Sequence, residues 1–119
     1  MNGKIGKVWG VTECVLASPL IEIHRLKIKP RHQCSLHVHR RKFNAFLVTK
    51  GTLFIETVKN DYPLTDVTEL KAGEIATVKP GEHHKFRTGK QSCECFEIYY
   101  TDILGEDIER KGHGGKVAA

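Results

Sequence analysis

The sequence predicts an all-β fold, a sandwich or a small barrel, and three observations lead there. Apolar and polar residues alternate in short runs, and no segment holds a 3.6-residue period for three turns. Glycine and proline interrupt these runs about every 8–12 residues. The 119 residues suffice for one domain with one core. Closing the sheet removes exposed edges and leaves an interior that can hold one small ligand.

The expected strands follow in order. Val8 to Leu16 is ended by Ser18-Pro19, and Ile21 to Ile28 by Lys29-Pro30. In the second, Ile21 and Ile23 share one parity and Leu26 and Ile28 the other, so a bulge is expected at His24-Arg25. Cys34 to His39 and Ala45 to Thr49 come next, and Gly51 turns the chain into Thr52 to Val58. Asn60-Asp61-Tyr62-Pro63 reads as a loop. Thr65 to Leu70, Ile75 to Val78 and His83 to Thr88 are short strands set off by Ala72-Gly73, Pro80-Gly81 and Gly89. Cys93 to Tyr100 is the last, with a second parity flip after Cys95. Asp102 to Arg110 is expected to form a helical turn, and the glycine-rich tail to pack poorly. One domain is expected over 1–119, its core at about 8–100 and 101–119 a C-terminal extension.

Lysine and arginine number 19 against 14 acidic residues, a net charge of +5 that favours an anionic partner. Apart from Arg40-Arg41-Lys42 the basic residues are dispersed, with no aromatic interleaving, so nucleic acid is not expected. No apolar run approaches the ~20 residues that cross a bilayer, and the opening MNGKIGKVWG lacks an apolar signal core. A soluble, cytoplasmic protein without a membrane partner is expected. Cys14, Cys34, Cys93 and Cys95 contain no C-x-x-C and are expected to be reduced thiols.

The chemistry is in the histidines. His37 and His39 are two apart on an expected strand, so both point to one face. His83 and His84 must point oppositely; His84 shares its parity with Phe86 and is expected inside, His83 in solvent. Asn44 shares its parity with Phe46 and Val48, which places an amide among apolar residues. His37, His39, His84 and Asn44 together suit a divalent metal, since neutral imidazole binds zinc, iron, nickel or copper. The alternative is a set of hydrogen-bonded polar residues at a barrel mouth.

These residues also carry a resemblance. His37-Val38-His39, Asn44 and Gly51 resemble the first motif of the cupin superfamily, an HxH followed by an acid and a turn glycine. Gly73, Gly81 and His84 are in register with the second. Four positions depart from it: Arg31 replaces a glycine, Asn44 the acid and Thr88 an asparagine, and Pro80 falls one place late. The resemblance covers roughly 20–100 and implies a jelly-roll-like double-stranded β-helix barrel. Trp9-Gly10 and the run from Tyr100 through Gly105-Glu106-Asp107 to Arg110 are similar to the cupin domain of type II mannose-6-phosphate isomerases. In that family the place of His37 is usually glutamine and that of Asn44 glutamate.

That likeness implies a metal-dependent sugar-phosphate isomerase that interconverts mannose 6-phosphate and fructose 6-phosphate. It implies a divalent ion, zinc first, with nickel, manganese, cobalt or iron as alternatives. It also implies a homodimer and a small anionic sugar ligand. Arg110 and Lys116 are the expected phosphate-binding residues, with Arg40-Arg41-Lys42 as an alternative anion site. Glu22, His24, His32, Glu56 and Glu97 are unranked candidates for the base. A non-catalytic cupin that binds a metal and a small ligand is the alternative function, and a non-haem iron oxygenase a third.

Overall fold

Nine strands make up the regular structure in a computed structural model that describes residues 3–59, 64–102 and 107–117. They are β1 (Lys4–Lys7), β2 (Gly10–Ala17), β3 (Ile21–Ile28), β4 (Phe43–Lys50), β5 (Thr52–Lys59), β6 (Leu64–Lys71), β7 (Ile75–Val78), β8 (His83–Arg87) and β9 (Cys93–Tyr100). A six-stranded sheet, β1-β2-β3-β9-β4-β7, faces a three-stranded one, β6-β5-β8. All pairings are antiparallel. Leu26, Ile28, Phe46, Val48, Cys93 and Cys95 of the large sheet pack on Leu53, Ile55, Leu70 and Phe86 of the small one. This is the all-β, jelly-roll-like barrel that the sequence predicts. No helix among the described residues is long and apolar enough to cross a membrane.

The ends of the first strands differ from expectation. Lys4–Lys7, with a single large apolar residue, is a strand because it pairs with β2, where Lys4 meets Glu13 and Lys7 meets Gly10. The next strand therefore starts at Gly10, not Val8. A Cβ at Gly10 would lie 1.9 Å from the Lys27 carbonyl oxygen, so only glycine lets β2 approach β3 there.

Cys34 to His39 is not a continuous strand. Two isolated bridges, Gln33 with Arg87 and His37 with His84, tie it to β8. The segment advances four residues between these bridges while β8 advances three, so one residue is extra. The ladder breaks at Cys34, whose Sγ accepts the Phe86 N–H at 3.2 Å.

The expected bulge at His24-Arg25 is also absent. β3 pairs with β9 without a break, from Ile21 opposite Tyr100 to Ile28 opposite Cys93. The bulge lies in the neighbouring β2, between Cys14 and Leu16. The apparent parity changes have a different cause. One face of β3 carries Glu22, His24, Leu26 and Ile28, and the matching face of β9 carries Tyr99, Glu97, Cys95 and Cys93. The inner face turns polar at one end, while Ile21, Ile23, Phe96 and Ile98 lie on the outer face. The expected helical turn falls partly on 103–106 and the expected loop at 60–63 falls entirely outside the described residues. Asp102 and 107–110 form no regular structure.

Two turns set the barrel's ends. Gly51 has φ +80°, and a Cβ there would lie 2.2 Å from the Ser92 carbonyl oxygen. Arg31 holds φ 55°, a left-handed conformation costly to a side chain, at the position where the resembled motif has glycine. Its N–H donates to the Gly89 carbonyl at 2.8 Å, which anchors the strap that carries the histidines. Arg31→Gly should therefore stabilise the fold by about 0.5–1 kcal/mol. Gly51→Ala should destabilise it by about 2–4 kcal/mol. Urea unfolding midpoints check both, and a destabilised Arg31→Gly would contradict the strain argument.

Candidate metal centre

The bridge between His37 and His84 brings the strap and β8 together, and it brings their imidazoles together with it. Ring centroids are 4.4 Å apart for His37 and His84, 5.0 Å for His37 and His39, and 5.5 Å for His39 and His84. One ring nitrogen from each lies within 4.8 Å of the others. His84 is buried at 1% exposure and His83 is exposed, in keeping with the parity of β8.

Backbone carbonyls engage one ring nitrogen of His37 and one of His84. His37 Nδ1–H donates to Ser35 O at 2.7 Å, and His84 Nδ1–H donates to Glu82 O at 3.0 Å. With the proton on Nδ1, each Nε2 offers a lone pair. His39 Nε2 is buried without a hydrogen-bond partner among the described residues. Burial, and then the neighbouring His37 and His84, push the His39 pKa down to about 4. Burial likewise lowers His84. Both rings are neutral at pH 7 and able to bind a cation.

Asn44 on β4 is 1% exposed. Its Nδ2–H donates to Glu97 Oε2 at 3.4 Å, and its Oδ1 lies 3.0 Å from His84 Nε2. A neutral His84 ring has one proton for these two oxygens, so with the proton on Nδ1 the contact to Asn44 sets one lone pair against another. A proton or a cation between them would resolve it, and burial disfavours the proton. The donor set therefore fits a divalent ion: three imidazole nitrogens plus a neutral amide oxygen.

A cavity of about 540 Å³ opens beside these groups, with Lys7, Trp9, His24, His37, Glu97 and Tyr99 among its lining residues. His37 is the triad member on that wall. Glu97 is nearly buried, and desolvation raises its pKa against the hydrogen bonds from Tyr99 and Asn44. Burial, followed by the Glu97 charge, raises Tyr99 as well. The Lys42 ammonium sits 4.4 Å from the Tyr99 ring centroid. Cys34, also on the wall, has its thiol pushed up to about 11 by burial and stays protonated at neutral pH.

The other expected residues scatter. Arg110 and Lys116 are exposed on the C-terminal segment and do not line the cavity, and Arg40 and Arg41 are exposed. Among the candidate bases, Glu56 pairs with Arg87 at 2.7 Å and His32 Nδ1–H bonds the Pro30 carbonyl at 2.7 Å. His24 and Glu97 line the cavity, and Glu22 bonds His24 at 2.6 Å. Sequence reasoning named Trp9 only for its family resemblance and did not place it, Lys7 or Tyr99 at the site. Strict alternation along Cys93–Tyr100 would have shown Tyr99, two and four residues beyond Glu97 and Cys95 on one face.

Residues 24–99 match the protein family described as Cupin domain. The chain is 25% identical over 105 residues to "Xanthan biosynthesis protein XanB" of Xanthomonas campestris pv. campestris (strain B100), a match covering 87% of this chain and 21% of that protein. It thus spans about a fifth of that relative's length. Oxalate decarboxylase of Bacillus subtilis, a protein with Mn(II) centres, superposes with a TM-score of 0.74 at 13% identity, over 87% of this chain and 28% of its own. KdgF from Halomonas sp. superposes with a TM-score of 0.70 at 12% identity, over 85% and 89% respectively. At these identities the likeness to solved structures is one of fold.

The depressed His39 pKa has a consequence for the metal-free protein. Its value in the unfolded chain is 6.5. Between there and about pH 4 the unfolded chain binds more protons, so stability falls as pH is lowered through that window and levels off below it. His39→Gln, neutral throughout, should flatten this slope. Thermal melts of both proteins, stripped of metal and taken from about pH 7.5 to about pH 4, check it; identical slopes would refute it.

Proposed function

This chain belongs to the cupin family, and from that premise we propose that it is a metal-dependent cupin acting on a small anionic sugar, as an isomerase of mannose 6-phosphate and fructose 6-phosphate. The observation that carries the reading is the clustering of His37, His39 and His84, one ring nitrogen of each within 4.8 Å of the others, beside an open cavity that His37 lines, with His39 Nε2 unpartnered among the described residues. His37, His39 and His84 would hold a divalent ion, zinc first, with Asn44 as a weaker oxygen donor. Such an ion supplies an electrophile for a sugar carbonyl.

The chain's own groups supply the rest. Glu97 sits in the cavity with its proton affinity raised, bonded to the amide that touches His84. In this reading Glu97 moves the proton between sugar carbons, and Tyr99 holds its carboxylate in place. Lys7 meets the phosphate from the cavity wall, and Arg110 and Lys116 meet it from the C-terminal segment. The relative named for xanthan biosynthesis supports a carbohydrate substrate. The apolar outer face carrying Ile21, Ile23, Phe96 and Ile98 suits pairing of two copies, and the protein would work in the cytoplasm.

Binding without turnover is the second reading. It is favoured by Asn44, a neutral amide in the place of the motif's acid.

His39→Ala and His84→Ala should each lose the metal equivalent bound by the triad, read by metal analysis; unchanged content would remove the centre. Outer partners of metal ligands alone change affinity about 10–100-fold. Asn44→Glu, which adds a charged ligand, should therefore tighten divalent binding by about tenfold or more. Mannose 6-phosphate conversion should be measured with zinc, cobalt, nickel or manganese supplied. Glu97→Gln should lower kcat by about 10²–10⁴-fold while calorimetry still shows sugar-phosphate binding. Binding by wild type without turnover under all four metals selects the second reading.

A further inference from the structure

The structure holds a second set of convergent donors away from the imidazole triad. Cys14 and His24 are direct partners across β2 and β3, and Glu22 lies two residues before His24 on the same face. One donor atom from each lies within 4.8 Å of the others, and all three side chains are half-buried. We propose that Cys14, Glu22 and His24 form a separate binding site for a divalent ion of the zinc type.

The local geometry is built for it. The β2 bulge begins immediately after Cys14, so regular pairing stops beside the thiol. His24 Nε2 lies 2.6 Å from Glu22 Oε1, and its Nδ1 lies 3.5 Å from Thr12 Oγ1. Without an ion, Nε2–H donates to the carboxylate. With one, the ring proton moves to Nδ1, where the Thr12 hydroxyl accepts it, and the Nε2 lone pair turns to the ion. The Cys14 thiol, which donates to the Leu16 carbonyl at 3.6 Å, releases its proton to solvent. One proton leaves per ion bound.

The donors also select the ion. Thiolate, imidazole and carboxylate together suit zinc or cobalt, and the thiolate disfavours magnesium and calcium. Thiolate and carboxylate carry two negative charges, so a divalent ion here is neutralised. Three imidazoles leave the charge of an ion in the triad intact. The two sites thus differ in chemistry as well as place: this one fastens β2 to β3, and the other presents an electrophile. The Tyr99 ring touches both, with its centroid 5.1 Å from that of His39 and 5.9 Å from that of His24.

Cobalt(II) titration of the metal-free full chain tests this, because a thiolate ligand adds a near-ultraviolet charge-transfer band that imidazoles do not. Wild type should show the band and release one proton with the equivalent that produces it. Cys14→Ser should abolish the band, and His24→Gln should weaken it, with far-ultraviolet circular dichroism unchanged. Cys34→Ser should keep it. His39→Ala should also keep it while losing the other equivalent, so failure of the triad and failure of this site read differently. Absence of the band in wild type, or its persistence in Cys14→Ser, overturns the proposal.

Discussion

The carbonyls of Ser35 and Glu82 hold the Nδ1 protons of His37 and His84, and the character of the site follows from those two hydrogen bonds. With the proton on Nδ1 each ring keeps a lone pair on Nε2, and one nitrogen from each ring lies within 4.8 Å of the others. Both carbonyls lie two residues before the histidine they orient, so the strap and β8 each position a ring by their own extended backbone. The bridge between His37 and His84 then needs only to bring the two backbones together. It does so through reciprocal hydrogen bonds of 3.0 and 2.8 Å. Removing that bridge would leave the rings correctly protonated but apart.

A buried polar patch of this kind is costly unless its members satisfy one another. The core handles the cost by segregation. On β3 and β9 the inner face is apolar at Leu26, Ile28, Cys93 and Cys95, and polar at Glu22, His24, Glu97 and Tyr99. The apolar half packs against Leu53, Ile55 and Phe86 and supplies the stability of burial. The polar half is left with side-chain partners: Glu97 with Asn44, and His24 with Glu22 and Thr12. His39 Nε2 is the exception among the described residues. An unpartnered buried nitrogen next to two oriented lone pairs makes sense where a cation is the missing partner.

The same segregation explains what could be read from the residues alone. His37 and His39 were legible from their spacing, and His84 and Asn44 from apolar neighbours of the same parity. Glu97 and His24 stood only among unranked candidate bases and Tyr99 was not singled out, for a physical reason. Alternation identifies the buried face by its apolar residues, and at the site end of β3 and β9 the polar residues face inward. Ile21, Ile23, Phe96 and Ile98 then mimic a core face, and alternation calls for a bulge where the register is unbroken. The strap from Cys34 to His39 failed differently. Its residues alternate like a strand, but the thiol at Cys34 takes the Phe86 N–H that a carbonyl would have taken. A side chain capturing a ladder donor leaves no trace in hydrophobic patterning. The substitution at Arg31 was visible, and the positive φ shows what glycine does for the motif it departs from.

Asn44 sets what the centre can do. A carboxylate in its place would halve the charge of a divalent ion before any ligand arrived. The amide oxygen at 3.0 Å from His84 Nε2 offers a dipole and no charge. With neutral imidazoles as the remaining donors, the whole double charge of an ion would face a cavity whose wall also carries Lys7. Electrostatics there favour a ligand that brings its own negative charge, as the net +5 of the chain does at longer range. The single carboxylate on that wall is Glu97, and the rise in its pKa by desolvation weakens its opposition to a bound anion. The exchange of an acid for an amide thus moves the anion from the protein to the ligand. The centre becomes a weaker trap for metal alone and a better one for metal and anion together.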